Sequence, residues 1–251
     1  MKIQYCSDLH LEFDQNSRFL RFKPLKPCAE VLILAGDIVP LHEKYYSDPF
    51  FRFASDHYEQ VFWLPGNHEY YSRSVSDYRS SFNISFLGNI NLVNNIKLNH
   101  NGIDFIFSTL WSEIGKTNEK KIEQSVSDFH CITENNNPLT IAGFNRLHQA
   151  GLSFLKHSLK ETSDKTVVIT HHLPSALCNA PQHAKSPINE AFCVDLTELI
   201  ETCNANFWIY GHSHFNQKPL IIGNTMLLTN QLGYVHLNEQ KEFKSNAFFA
   251  I

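Results

Sequence analysis

The sequence predicts an α/β fold, and three observations carry that expectation. Runs that are apolar throughout, such as Val31-Leu32-Ile33-Leu34-Ala35 and Val61-Phe62-Trp63-Leu64, read as strands buried on both faces, the habit of parallel sheets. Stretches with helical capping and spacing lie among these runs. Five of the runs stop abruptly at residues of one chemical kind, Asp, Asn or His. With 251 residues the chain can bury a sizeable core, and one domain over residues 1–251 is expected.

In order along the chain, Ile3-Gln4-Tyr5-Cys6 alternates as a first strand and delivers Asp8-Leu9-His10 past its end. Phe22 to Pro27 is a loop, and the strand Val31–Ala35 ends at Gly36-Asp37. Asp48 as N-cap and Pro49 at the first helical position open an aromatic-rich helix to about Tyr58. The strand at 61–64 is stopped by Pro65-Gly66, which leaves Asn67-His68 on a turn at its carboxyl end. Residues 72–81 are polar and predicted helical. Asn101-Gly102 between Ile96–Asn99 and Ile103–Leu110 predicts a hairpin. Residues 111–138, polar but with Ile122, Val126 and Phe129 at helical spacing, read as a lid.

Phe144, Leu147, Gly151, Phe154, Leu155 and Leu159 then recur as one face of an amphipathic helix over 139–160, with His148 and His157 assigned to its surface. Thr166–Thr170 is a buried strand that empties into His171-His172. After a long loop, Asp195 caps a short helix that turns Leu196, Leu199 and Ile200 inward. Phe207-Trp208-Ile209-Tyr210 ends in Gly211-His212-Ser213-His214. A hairpin around Gly223-Asn224 and further strands complete the chain.

Composition narrows the function. The net charge is −4 and no dense Lys/Arg run occurs, which argues against a long nucleic acid as partner, because a polyanion needs a basic footprint. Hydrophobic residues at 43% with no long apolar run give no expectation of a membrane partner. The N-terminus reaches Asp8 too early for a signal peptide, and six cysteines without Cys-x-x-Cys spacing suit reduced thiols, so a cytoplasmic location is expected.

The five strand ends carry Asp8-x-His10, Asp37, Asn67-His68, His171 and His212-x-His214. Strands of one sheet running the same way put these ends on one edge, where α/β proteins bind ligands. Imidazole nitrogens with carboxylate and amide oxygens, and no thiolate, suit Mn, Fe, Zn or Mg. Even with His68 set aside, the seven remaining groups exceed the needs of one ion and match two divalent metal ions sharing a bridge. Paired ions at about 3.5–4 Å clamp the attacking and leaving oxygens of a phosphoryl displacement, so hydrolysis of a phosphate ester follows. Singly each motif is commonplace: an Asp capping a loop, a Gly-Asp after a strand. Their joint occurrence is what carries the reading.

In the order and type of these five blocks, from Asp8 to His214, the chain resembles the calcineurin-like metallophosphoesterase superfamily. The resemblance implies a four-layer αββα sandwich with a dinuclear site at the strand ends. It implies Asp8, His10 and His214 on the first ion, Asn67, His171 and His212 on the second, and Asp37 bridging. It also implies that His68 contacts phosphate and protonates the leaving oxygen, while a metal-bridging hydroxide attacks in line. Protein Ser/Thr phosphatases of the superfamily follow their Gly-Asp with a Val-Asp-Arg-Gly run; here Ile38-Val39-Pro40-Leu41-His42 stands instead, so a phosphoprotein substrate loses weight. The Asn67-His68 block is similar to the bacterial phosphohydrolase and phosphodiesterase branch.

The expected activity is hydrolysis of a small phosphodiester, manganese being the first metal choice and no clear Arg being present to hold a dianion. A phosphomonoesterase or nucleotidase, and an idle scaffold of the same fold, are the alternatives. Expected substrate contacts are His172 beside a ligand and His183 and Lys185 in the following loop, with Trp111 and His130 in the lid as further candidates.

Overall fold

A computed structural model describes residues 1–251. Its strands are β1 (Lys2–Cys6), β2 (Val31–Ala35), β3 (Gln60–Leu64), β4 (Arg73–Ser74), β5 (Phe82–Leu87), β6 (Ile90–Asn94), β7 (Ile96–His100), β8 (Ile103–Ser108), β9 (Ile132–Glu134), β10 (Asn137–Pro138), β11 (Thr166–Thr170), β12 (Phe207–Ile209), β13 (Leu220–Ile222), β14 (Thr225–Leu228) and β15 (Phe248–Ala250). Its helices are α1 (Asp14–Phe22), α2 (Pro49–His57), α3 (Glu119–Ser125), α4 (Asp128–Cys131), α5 (Ile141–Ser158) and α6 (Thr197–Thr202). No helix is long and apolar enough to cross a membrane.

Two six-stranded sheets form, in the orders β15-β1-β2-β3-β6-β5 and β13-β14-β12-β11-β8-β7. Strands β1, β2, β3 and β6 are mutually parallel, as are β8, β11, β12 and β14, and antiparallel strands close each edge. Alternation of side chains across each strand builds the layers. Ile33, Phe62, Phe105, Val167 and Ile209 point from the two sheets into one shared core. Their sequence neighbours Leu34, Trp63 and Val61 face outward under α1 and α2, and Ile106, Val168 and Trp208 face outward under α5 and α6. The four-layer αββα sandwich is therefore present. Phe51 of α2, fully buried against Trp63 at a ring distance of 5.0 Å, marks how tightly the outer layer is held; removing such a ring costs about 3–5 kcal/mol.

Most of the elements follow the expected boundaries. Asp48 accepts from Phe50 N at 2.9 Å and caps α2, and Thr140 caps α5. Three expectations need correction. Residues 72–81 are not helical: β4 is followed by a short 3-10 turn, because Arg73 and Ser74 pair with β9 and Ser74 turns its side chain back on Ser76 N. His148 is not on the surface but 1% exposed, its Nδ1 3.2 Å from the carbonyl of Leu110. The end of the chain holds one strand, β15, after two 3-10 turns at Val235–Leu237 and Glu239–Glu242. Helix α1 carries no apolar stripe beyond Phe19 and Leu20, so periodicity does not reveal it.

Within 111–138, Ile122, Val126 and Phe129 are buried in a small core with Tyr70, Trp111 and Phe144. That packing joins the segment to the end of β8 and to α5, directly above the carboxyl ends of the central strands.

Candidate dinuclear metal centre

The carboxyl ends of β1, β2, β3, β11 and β12 bring the five motif blocks to one place. Asp8, His10 and His214 turn their ligand atoms toward one point, and Asp37, His171 and His212 toward another, each set lying within 4.8 Å of one another. Asp37 stands between the two: Oδ2 is 3.7 Å from His10 Nε2 and Oδ1 is 3.4 Å from His171 Nε2. Asn67 Oδ1 lies 3.2 Å from His171 Nε2.

The backbone is bent to achieve this convergence. Asp8, His10, Asp37, His212 and His214 all adopt positive φ, between 46° and 76°. Non-glycine residues enter that region rarely, Asn, Asp and His more readily than others, and a strained position costs on the order of 1–3 kcal/mol. Hydrogen bonds over-determine the conformation: Asp8 N donates to Gly36 O at 2.9 Å, His10 N to Asp37 O at 2.9 Å, and His212 N to Asp8 Oδ1 at 3.0 Å. Gly36 and Gly66 are required for close approach, since a Cβ on either would collide with the ring of His171.

Three of the four rings are held from their outer side. His171 Nδ1 faces the Ala35 carbonyl at 2.9 Å, His214 Nδ1 faces Glu239 Oε2 at 2.7 Å, and His10 Nδ1 faces Glu12 Oε1 at 3.1 Å. Acceptors at Nδ1 fix the proton there and leave Nε2 as an inward lone pair, the arrangement metal-ligating histidines use. Nε2 of His10 and Nε2 of His214 then face each other at 2.9 Å, a contact that requires a proton or a cation between them. His212 Nε2 is buried with no partner at all. An orphaned imidazole nitrogen, two opposed lone pairs and a bridging carboxylate fit a pair of divalent cations.

The electrostatics agree. Burial works against a charge on His171, yet Asp37 outweighs it and lifts the ring to about 9. Burial likewise opposes a charge on His214, while Asp8 and Glu239 raise it to about 10. Burial and the neighbours His172 and His171 push His212 well below its ordinary value. The carboxylates thus draw positive charge into the centre, as protons or as metal ions.

Glu69 organises the floor. Its fully buried carboxylate accepts from Asp37 N at 2.9 Å, Ile38 N at 2.8 Å, Gly66 N at 2.7 Å and Trp63 Nε1 at 2.9 Å, tying the ends of β2 and β3 together. Burial and the charge of Asp37 push its carboxyl up to about 8, against which the N–H donors act.

His68 lines the cleft above. Its Nδ1 is 3.1 Å from Glu12 Oε1, its Nε2 is 3.4 Å from the Tyr234 hydroxyl, and Tyr71 stacks on it with ring centres 4.0 Å apart. Burial lowers its basicity, but Asp37 and Glu12 prevail and raise it. The cleft holds about 400 Å³ and is bordered by Phe13, Tyr71, Val126, Ile188, Phe192 and Tyr234 together with the metal-facing groups, and no Lys or Arg borders it.

The remaining sequence candidates are dispersed. His172 is buried 4.1 Å behind the His212 ring and does not line the cleft. His183 lines a slot of about 140 Å³ that shares Ile188, Phe192 and Ser213 with the cleft. Lys185 is exposed and lines neither space. Trp111 belongs to the core under 111–138, and His130 is exposed on α4.

A family model described as calcineurin-like phosphoesterase matches residues 1–216, with all five blocks inside it. The chain belongs to the calcineurin-like phosphoesterase family. It is a metal-dependent phosphoesterase. An uncharacterized protein, L509, of Acanthamoeba polyphaga mimivirus is 33% identical over 274 residues, covering 99% of this chain and 96% of the relative. The phosphopantetheinyl hydrolase PptH of Mycobacterium tuberculosis has a similar fold, with a TM-score of 0.71 at 16% identity over 97% of this chain and 93% of that one.

Several residues of the phosphoesterase centre were not found from the sequence. Glu12 follows His10 at the spacing of an extended strand and could have been read from Asp-x-His-x-Glu; Glu69 directly follows Asn67-His68. Asp128 of α4, which accepts from Asn67 Nδ2 at 2.8 Å and from the Tyr71 hydroxyl at 2.9 Å, gives no local signal. Nor does Glu239, 25 residues beyond the ring it holds.

Proposed function

We propose that the phosphoesterase hydrolyses small phosphodiesters whose two arms are uncharged, with Asp8, His10 and His214 on one divalent ion, Asn67, His171 and His212 on the other, and Asp37 between them. The observation that carries the diester reading is the composition of the cleft: aromatic and aliphatic walls, the carboxylates of Asp128 and Glu239, and no Lys or Arg. A monoester dianion entering there would meet added negative charge and no guanidinium fork, whereas a diester brings one negative charge and two arms that apolar walls can cover.

Bound divalent ions would supply charge neutralisation at the phosphoryl oxygens and lower the pKa of water to about 7. The chain's own part is positioning and proton transfer. His68, braced by Glu12 at Nδ1 and by Tyr71 across its face, holds Nε2 toward the cleft, where it donates a proton to the departing oxygen. Phe13, Tyr234 and Phe192 exclude water from the arms, and His183 borders the slot where one arm would extend. Six unpaired cysteines suit a reducing, cytoplasmic setting.

The test is turnover of an aryl phosphodiester and its monoester by the manganese-loaded protein, beside Asp37→Asn. Diester turnover at least tenfold above monoester, lost in Asp37→Asn, is expected. A monoester preference would overturn the diester reading, and Asp37→Asn retaining full activity would remove the proposed centre.

A further inference from the structure

Asp128 belongs to α4, in the segment 111–138, and stands 61 residues from Asn67 in the chain. Its side chain is 1% exposed, and a single oxygen, Oδ1, accepts from both Asn67 Nδ2 and the Tyr71 hydroxyl. We infer that Asp128 is a positioning residue that sets the amide of Asn67 with its oxygen toward the metal centre and, through Tyr71, braces His68. The inference rests on the proposed role of Asn67 as a ligand of the second ion.

An Asn side chain has nearly the same shape when its oxygen and nitrogen exchange places, but only the oxygen can ligate a cation, because NH₂ offers hydrogens. Something beyond sterics must choose. A buried carboxylate 2.8 Å from Nδ2 does so, since the exchanged amide would set Oδ1 against carboxylate oxygen with no hydrogen between. In the orientation observed, Oδ1 is instead 3.2 Å from His171 Nε2 and faces the Asp37–His171–His212 group.

The second hydrogen bond carries the same carboxylate to the other side of the cleft. Tyr71, fixed at its hydroxyl, lies over His68 with the rings 25° from parallel. One residue of the segment above the sheets therefore reaches both Asn67, the proposed ligand of the second ion, and Tyr71, the neighbour of His68. Ile122, Val126 and Phe129 anchor the segment in its own core, so Asp128 is held by packing rather than by the metal centre alone. The segment is thereby part of the centre's second layer of contacts and not only a cover for it.

Manganese content after equilibrium dialysis, together with the electron paramagnetic resonance signal of a coupled manganese pair, tests this in the intact chain. Wild type should hold two ions with the pair signal. Asp128→Ala should keep the first ion and bind the second about 10–100-fold more weakly, replacing the pair signal with that of single manganese. The exchange variant Asn67→Asp/Asp128→Asn, in which the amide at 128 donates to a carboxylate at 67, should recover the second ion. Two ions bound at wild-type affinity in a folded Asp128→Ala would overturn the proposal. Should Asp128→Ala fail to fold, the exchange variant decides, and absence of the pair signal in it overturns the proposal. Two ions at wild-type affinity in Asn67→Ala would remove Asn67 from the ligand set, a failure of the underlying assignment that the Asp128 variants alone would not produce.

Discussion

Oε1 of Glu12 lies 3.1 Å from Nδ1 of His68, and the same oxygen lies 3.1 Å from Nδ1 of His10. One carboxylate oxygen thus orients a ring of the candidate metal centre and a ring that lines the cleft above it. Burial opposes its ionisation, and hydrogen bonds from the two rings overcome that and lower its pKa. Glu12→Gln keeps an acceptor but removes the charge that favours a protonated His68. The expected loss in kcat is on the order of tenfold for a phenyl leaving group and small for nitrophenyl, because a good leaving group needs little protonation. Equal losses for both esters would assign Glu12 to the metal side only.

Removing the metal should destabilise the fold as well as stop turnover. Asp8 and Asp37 are buried with at most 2% exposure beside rings that converge on them, and both sit at positive φ together with His10, His212 and His214. Ions that bind only the folded chain add about 2.7 kcal/mol at a hundredfold excess over Kd. Melting curves recorded across a manganese titration should therefore rise with concentration in wild type and stay flat in Asp37→Asn. A wild-type melting temperature that ignores manganese would mean that the centre does not bind it.

Gly36 should tolerate no side chain. It adopts φ 95°, and a Cβ there would collide with the His171 ring, which lies between Asp37 and the Ala35 carbonyl. Gly36→Ala is expected to cost about 2–4 kcal/mol by combining an unfavourable backbone conformation with a displaced ring. Denaturant unfolding reads that cost, and manganese content reads the displacement; a variant with wild-type values for both would show that the ring has another place to go.

The strands and the convergence of Asp8, His10, Asp37, Asn67, His171, His212 and His214 at their ends were legible because the signals are local. A fully apolar run such as Val31–Ala35 announces a buried strand, and a ligand placed at the end of such a run inherits its position from the sheet. The groups that orient the ligands were not legible. Asp128, Glu239 and Tyr234 meet the centre only after the chain has folded back across the strand ends, and no periodicity connects residue 128 with residue 67 or residue 239 with residue 214. Glu12 is the intermediate case, two positions from a ligand yet easily taken for a surface acid. His148 was misplaced for a related reason: helix α5 packs over the end of β8, so a polar residue on its face finds the Leu110 carbonyl and is buried by it.

Far from the metal centre, Asp104 at the start of β8 gives a stability prediction with a defined pH window. It accepts from Asn99 Nδ2 at 2.8 Å and Ser163 N at 3.0 Å and lies 3.1 Å from Lys97 Nζ, clasping the β7–β8 hairpin to the chain that enters β11. Burial raises its pKa, and these three contacts more than reverse that, lowering it to about 2. A carboxyl whose folded pKa lies below its unfolded value of about 3.9 contributes its full stability above that unfolded value and loses it as pH falls toward the folded one. Asp104→Asn should therefore be less stable than wild type by about 1–2 kcal/mol at neutral pH. The gap should close between about pH 4 and pH 2, where wild-type Asp104 takes up its proton. Urea unfolding of both proteins as a function of pH measures it, and a difference that stays constant through that window would place the cost in the changed hydrogen-bond geometry and not in the charge.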